Sequence, residues 1–144
     1  MIKRQRVLEM ALALPGATSD MPFEEDFDST VLRHGAGGKW FGLMMKVPRE
    51  KVGLDGPGTA EVLNLKCDPL VSFGMRQGCP DILPAWHMNK QHWISVRLEG
   101  DVPEDTLKTL IEMSYDLTKK GAKRRSTAER GTAGTTDKER VQTR

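Results

Sequence analysis

The length, composition and charge of the chain describe one small globular domain and exclude several other classes of protein. Its 144 residues are 38% apolar and 29% charged, which is enough for a hydrophobic core without disulfide or metal support. No stretch approaches the roughly 20 consecutive apolar residues of a membrane span, and we see no secretory apolar segment near the N-terminus.

The net charge of +2 is divided unevenly along the chain. Residues 119–144 contain nine basic and three acidic residues, a net charge of +6, which leaves −4 for residues 1–118. Because residues 121–144 carry one large apolar side chain, Val141, we predict a folded domain over residues 1–120 and a basic disordered tail over 121–144. Cys67 and Cys79 match no metal or redox spacing and indicate reduced thiols in a cytoplasmic protein.

The first half of the chain predicts a helix followed by three strands. Pro15 and Gly16 end the helix, and a glycine-rich turn joins the first two strands into a hairpin. The predicted bounds are 3–14 for the helix and 27–34, 39–47 and 61–67 for the strands.

The second half predicts a short helix, two strands and a longer helix. Asp68 is a good N-cap and Pro69 suits the first helical position, so the short helix begins there. We expect its buried side to consist of Leu70, Val71, Phe73 and Met75. A short extended segment over 83–86 precedes a strand over 92–98. The last helix begins near Pro103 and carries a stripe at helical spacing that consists of Leu107, Leu110, Ile111, Ser114 and Thr118.

This order, α-β-β-β-α-β-β-α, predicts a single α+β domain with an antiparallel sheet of about five strands and helices on one face. Alternation along the strands then assigns side chains to the two faces of the sheet. The face toward the helices is predicted to hold Phe41, Leu43, Met45, Leu63, Leu65, Ile94, Val96 and Leu98. The opposite, open face is predicted to hold Trp40, Met44, Lys46, Asn64, Lys66, Trp93, Ser95 and Arg97.

Several short motifs resemble the MmcQ/YjbR family of small bacterial proteins. They are Leu14-Pro15-Gly16, Gly38-Lys39-Trp40-Phe41, Leu65-Lys66-Cys67-Asp68-Pro69, the run from Pro84 to Trp93, and Ser114-Tyr115-Asp116-Leu117. Trp40 and Trp86 stand where that family has a smaller or tyrosine-like hydrophobe. The resemblance implies an α+β fold of the secretion-chaperone or CyaY-like type, described as a "double wing", and a DNA-binding function.

The open face suggests a non-enzymatic nucleic-acid interface. Two indoles among cations suit stacking on bases and neutralisation of phosphates. The nucleic-acid-binding candidates are Trp40, Lys46, Lys66, Lys90, Trp93 and Arg97. The ordinary alternative is the polar side of a half-exposed sheet with its tryptophans covered by loops. A second functional hypothesis is a protein- or peptide-binding adaptor that uses the same face.

The remaining chemistry-bearing residues favour structural roles. His87 and His92, with Cys67 or Asp68, could ligate a metal, but they lack a paired ligand motif and His92 shares the parity of the core. Cys67 also has core parity, as expected for an inert thiol rather than a nucleophile. We therefore expect no metal, no cofactor and no enzymatic activity.

Overall fold

In the part of the chain that the structure describes, six antiparallel strands form one sheet, and the helices lie across it. The computed structural model describes residues 1–23, 28–85, 88–89 and 91–119, so the predicted tail over 121–144 lies outside the described residues. The strand order in the sheet is β1-β2-β3-β4-β6-β5. In chain order the elements are α1 (Arg4–Leu12), β1 (Ala17–Asp20), β2 (Thr30–His34), β3 (Trp40–Pro48), a 3-10 helix (Arg49–Val52), β4 (Thr59–Lys66), α2 (Pro69–Gly78), β5 (Ile82–Pro84), β6 (Trp93–Arg97) and α3 (Glu104–Thr118).

The α+β class and the order of the elements agree with the prediction, with one additional strand. β1 lies between the predicted first helix and the predicted first strand, and its four residues pair with β2 at the edge of the sheet. Within the described residues, no helix is long and apolar enough to cross a membrane.

One face of the sheet, which we call the helix face, packs against α1 and α3. Val7 and Ala11 of α1 and Leu107 and Ile111 of α3 are almost completely buried there. The strands contribute Leu32, Phe41, Met44, Leu63, Leu65, Ile94 and Val96 to the same cluster. Every member of the predicted α3 stripe is buried, as its i, i+3, i+4, i+7 spacing requires.

The predicted facing of β3 is wrong beyond Phe41 because the strand contains a β-bulge. Leu32 pairs with Gly42, whereas the next residue, Arg33, pairs with Trp40, so Phe41 is an extra residue in β3. An extra residue reverses the alternation of side chains along the rest of a strand. The bulge reverses four predicted facings. Leu43 and Met45 lie on the face opposite the helices, whereas Met44 and Lys46 lie on the helix face.

The opposite face, which we call the loop face, carries a second apolar cluster and is not open at its centre. Its buried members are Val31, Leu43, Met45, Val47, Val52, Ala60 and Val62. Val52 and Leu54, which pack against this cluster, come from the segment between β3 and β4. Asn64 and Ser95 lie on the same face, are fully buried, and are joined by a hydrogen bond between their side chains.

The predicted start of α2 is correct, but its predicted buried side is wrong. The Asp68 side chain accepts a hydrogen bond from Leu70 N at 2.9 Å, and the helix ends at Gly78. Ser72 is the buried residue of α2, with Met75 half-buried against the helix-face core. Leu70, Val71 and Phe73 are not three or four residues away from Ser72, so they do not share its side of the helix. They lie on the solvent side.

Candidate nucleic-acid interface

Three of the predicted binding residues lie at one end of the loop face. Lys66 and Trp93 are direct partners in the β4–β6 register, and Trp40 begins β3 at the same end of the sheet. Neighbouring strands are about 4.8 Å apart, so β3 and β6, which flank β4, are separated by roughly 10 Å. We call this group of Trp40, Lys66 and Trp93 the indole end.

Trp40 is half-buried and has contacts on more than one side. The guanidinium carbon of Arg33 lies 5.7 Å from the centroid of its ring, and the Phe23 ring meets it edge-on at 6.1 Å. Arg33 is itself held by Asp20, with Nε 2.6 Å from the carboxylate. Arg33 was not among the predicted binding residues, because its place beside Trp40 follows only from the register of β2 against β3.

Trp93 is positioned by the turn that precedes β6. The main-chain oxygen of Asn89 accepts hydrogen bonds from His92 N and Trp93 N, at 3.2 and 2.9 Å. The Asn89 side chain accepts a further bond from Gln91 N at 2.8 Å, which is the self-capping turn that Asn favours. Trp93 is half-buried at the start of the strand, and this turn determines where its indole enters the loop face.

Ser114 of α3 supports the indole end from the helix side. Its buried hydroxyl donates to the carbonyl oxygen of Phe41 at 2.6 Å and accepts from Lys66 N at 2.8 Å. Phe41 is the bulge residue that follows Trp40, so one side chain links β3 and β4 where the alternation of β3 changes. Ser114 is therefore a hydrogen-bonding residue that joins α3 to the two strands.

Arg97 lies on the loop face as predicted, but away from the indole end. It pairs in register with Val62, four residues along β6 from Trp93, which corresponds to about 13 Å along the strand. Its guanidinium forms an ion pair with Asp81 at 2.6 Å. The Asp81 carboxylate also accepts a hydrogen bond from Asp101 N at 2.8 Å. Arg97 therefore serves a nearly buried structural carboxylate.

Lys46 does not share a face with the indoles. The bulge turns it to the side of α1, where it pairs in register with Glu61. Its ammonium nitrogen lies 3.6 Å from a carboxylate oxygen of Asp28, and Glu61 is ion-paired with Arg4 of α1. Lys90, the remaining predicted binding residue, lies outside the described residues, as do Trp86 and His87.

The residues weighed as metal ligands or nucleophiles have other environments. His92 is exposed, so its predicted core parity is wrong: it lies in the turn before β6 begins. Cys67 is buried, as predicted, and burial together with the charge of Asp68 raises the pKa of its thiol. Among the residues that the structure describes, no group of three or more His, Cys, Asp or Glu could hold a metal ion.

A buried aromatic cluster that the sequence analysis did not identify surrounds His34 beneath the bulge. Its Nε2 lies 2.7 Å from the hydroxyl of Thr118, and its ring centroid lies 5.1 Å from that of Phe41 and 4.6 Å from that of Tyr115. Burial, reinforced by the charges of Lys39 and Lys119, lowers the pKa of His34. This half-buried histidine is therefore a titratable group at the edge of the helix-face core, in contact with the bulge residue Phe41.

Known proteins match this chain over most of its length. Residues 12–117 match the family model described as YjbR. The uncharacterized protein YyaQ of Bacillus subtilis (strain 168) is 44% identical over 119 residues, which cover 83% of this chain and all of that protein. The uncharacterized protein YbdF of Escherichia coli O157:H7 is 36% identical over 116 residues, which cover 81% of this chain and 84% of that protein.

Solved structures have the same fold. A crystal structure of a Pseudomonas syringae protein superposes with a TM-score of 0.75 at 38% identity, covering 81% of this chain and 99% of that one. A crystal structure of a Deinococcus radiodurans protein, described as a DUF419 domain, gives a TM-score of 0.67 at 27% identity and covers 90% and 87% of the two chains. The matched segment contains the whole indole end, and the chain belongs to the YjbR family.

Proposed function

We propose that this YjbR-family protein is a non-enzymatic, cytoplasmic DNA-binding protein that holds nucleic acid at the indole end of its loop face. The observation that carries the proposal is the cross-strand pair of Lys66 and Trp93, with Trp40 at the same end of the sheet. A cation beside an aromatic ring offers a phosphate contact and a stacking surface within one nucleotide's reach. The cytoplasmic location is supported by the two free cysteines.

The residues of the surface have different roles in this proposal. Trp93 is the main stacking surface, because the guanidinium of Arg33 already lies over the ring of Trp40. Lys66 is the main phosphate contact, whereas Arg33, which is ion-paired with Asp20, positions the ring of Trp40. The +6 charge of residues 119–144 adds attraction that does not depend on base sequence.

Two of the six residues first predicted to bind nucleic acid are excluded from this surface, and one of them, Lys46, serves as a control. Lys46 carries the same charge as Lys66, but it lies on the other side of the sheet beside Asp28. Arg97 is engaged by Asp81. If the indole end is the binding surface, removal of the Lys46 charge should affect DNA affinity much less than removal of the Lys66 charge.

The test is a fluorescence-anisotropy titration of labelled single-stranded and duplex DNA at several salt concentrations. Lys66→Ala should weaken binding and lower the slope of log affinity against log salt by about 1, whereas Lys46→Ala should leave both nearly unchanged. Trp93→Leu, checked for folding by circular dichroism, should cost about 1–3 kcal/mol of stacking energy per base. Undetectable binding at low salt, or equal losses for the two lysine variants, would refute the proposal.

The peptide-binding alternative on the same face has less support. An adaptor of that kind needs exposed apolar side chains along the sheet, yet Val31, Leu43, Met45 and Val62 are all buried on the loop face. Val52 of the 3-10 helix already packs against this cluster. Exposed apolar surface occurs elsewhere on the molecule.

A further inference from the structure

A third aromatic ring extends the indole end. The ring of Phe23 meets that of Trp40 edge-on, with their centroids 6.1 Å apart, and 38% of Phe23 is exposed. Neither of the two apolar clusters contains Phe23, so its ring does not serve the core. Trp40, which is also contacted by the guanidinium of Arg33, supports Phe23 from one side. We call Phe23, Trp40 and Trp93 the aromatic platform.

The spacing of the aromatic platform suits bases that are separated from one another. Trp40 and Trp93 belong to strands roughly 10 Å apart, whereas stacked neighbours in one strand of a duplex are about 3.4 Å apart. Rings on these two strands therefore do not match neighbouring bases of a regular helix. The base faces of a duplex are also covered by the next base pair, so a protein ring reaches them only after a base has left the stack. Bases of a single strand can be splayed, and each can then stack on its own ring.

The charges of the loop face suit contact with few phosphates. Duplex DNA carries one negative charge per about 1.7 Å of its axis, and proteins that bind it neutralise several phosphates at once. On the loop face, Arg33 and Arg97 are each ion-paired with a carboxylate, and Lys46 lies on the other side of the sheet. Lys66 is then the main phosphate contact of a folded domain whose residues 1–118 carry a net charge of −4. Stacking, which needs no net positive charge, must therefore supply most of the affinity of this domain.

The turn beside the aromatic platform is unsuited to reading a groove. A protein reads the major groove by inserting a helix or a two-stranded ribbon whose side chains reach the base edges. The hairpin of β2 and β3 turns at this end of the sheet, but residues 35–38 have the sequence Gly-Ala-Gly-Gly and carry no hydrogen-bonding side chain. The helices α1 and α3 are packed against the helix face. The described part of this end therefore offers aromatic rings on a sheet surface instead of a projecting helix.

We propose that the aromatic platform binds single-stranded DNA in preference to duplex DNA, and that Phe23 is a further stacking residue of this site. Trp93 and Phe23 each stack on one splayed base, and Lys66 contacts a phosphate of the same strand. Trp40 keeps the ring of Phe23 in position. The inference rests on the proposed function, because it names the form of DNA that the indole end takes. The +6 charge of residues 119–144 attracts both forms, so the change in affinity of each variant for each form isolates the platform.

The test is a fluorescence-anisotropy titration of the full chain with a labelled oligothymidylate and with a labelled blunt-ended duplex of equal phosphate count, at physiological salt. The single strand should bind at least about tenfold more tightly. Trp93→Leu and Phe23→Leu should each weaken binding of the single strand by about 5- to 150-fold, the equivalent of one lost stack, and should leave the affinity for the duplex nearly unchanged. Phe73→Leu is the matched control, because Phe73 is a 60% exposed phenylalanine on α2, and it should change neither affinity.

The outcomes separate this inference from the DNA-binding proposal on which it rests. Equal affinities for the two forms, tighter binding of the duplex, or equal losses of both in Trp93→Leu would overturn the single-strand preference and leave DNA binding itself standing. An effect of Phe23→Leu no larger than that of Phe73→Leu would remove Phe23 from the site. Undetectable binding of both forms would refute both proposals. Trp93→Phe, which keeps an aromatic ring, should retain most of the affinity for the single strand, and a loss as large as that of Trp93→Leu would overturn the assignment of Trp93 as a stacking residue.

Discussion

Replacing Ser114 by alanine tests whether α3 holds the bulge of β3 in place. The Ser114 hydroxyl donates to the Phe41 carbonyl at 2.6 Å and accepts from Lys66 N at 2.8 Å. Ser114 is fully buried, so alanine would leave a buried acceptor and a buried donor without these partners. We expect Ser114→Ala to destabilise the protein strongly although it removes a single atom.

The size of the effect follows from the two groups left behind. A buried polar group that loses its partner costs about 1–3 kcal/mol, and partial relaxation or entry of water reduces the sum for two such groups. We therefore expect the free energy of unfolding to fall by about 2–4 kcal/mol. Because domains of this size are stabilised by about 5–15 kcal/mol in total, the variant should still fold at room temperature.

The measurement is urea unfolding followed by tryptophan fluorescence, with Thr109→Ala as the matched control. Thr109 is also a hydroxyl residue of α3, but it is exposed and bonds to the Asp105 carbonyl of its own helix at 3.1 Å. Its replacement should change the free energy of unfolding by no more than about 0.5 kcal/mol. A similar small change for Ser114→Ala would show that the bulge does not depend on this hydroxyl.

Three further predictions concern a glycine, a histidine and a cysteine. A Cβ at Gly100 would lie 2.2 Å from the Asp81 carboxyl group, so Gly100→Ala should lower the free energy of unfolding by about 2–4 kcal/mol. The control is Gly74→Ala, in open space on α2, which should raise the free energy of unfolding by about 0.5–1 kcal/mol. Equal effects of the two variants in urea unfolding would contradict this prediction. Burial lowers the pKa of His34 below 6.5, so protonation of this histidine should not reduce the free energy of unfolding above pH 6.5. The free energy of unfolding should then fall as the pH drops toward the pKa of His34 in the folded protein, by at most about 1.4 kcal/mol per pH unit. Urea unfolding of His34→Gln at the same pH values should not show this loss. Burial and the neighbouring acidic charge raise the pKa of the Cys67 thiol. Mass spectrometry after iodoacetamide treatment should therefore find Cys67 alkylated in urea but not in the folded protein. Rapid alkylation of the folded protein would be evidence against this prediction.

Elements with one regular period and no register change could be predicted from the sequence. The stripe of α3 is buried as predicted, because five residues at helical spacing define a single face. The same reasoning is correct for β4 and β6, where Lys66 and Trp93 lie on the face opposite the helices. The N-cap at Asp68 could also be predicted, because it depends on local chemistry.

The errors occur where the pattern depends on contacts distant in sequence. The apolar residues of α2 suggested a buried side, yet the helix turns Ser72 inward and leaves Leu70 and Phe73 in solvent. On β3, the residues around Phe41 read as unbroken alternation, because a bulge is defined by the pairing with β2. The glycine at position 42 was a weak sequence signal of the bulge. A Cβ there would approach the Leu32 side chain to 2.7 Å.

The bulge also connects the stability of the core to the proposed binding surface. Leu43 lies on the loop face, so uninterrupted alternation would place Phe41 on that face and turn Trp40 toward the helices. The extra residue lets Phe41 fill the helix-face core while Trp40 joins Lys66 on the other side. A change that removes the bulge while the sheet persists would therefore take Trp40 out of the indole end. DNA affinity at the proposed site should therefore require the reversed alternation that the bulge provides, in addition to the fully buried Phe41 side chain that the fold itself requires.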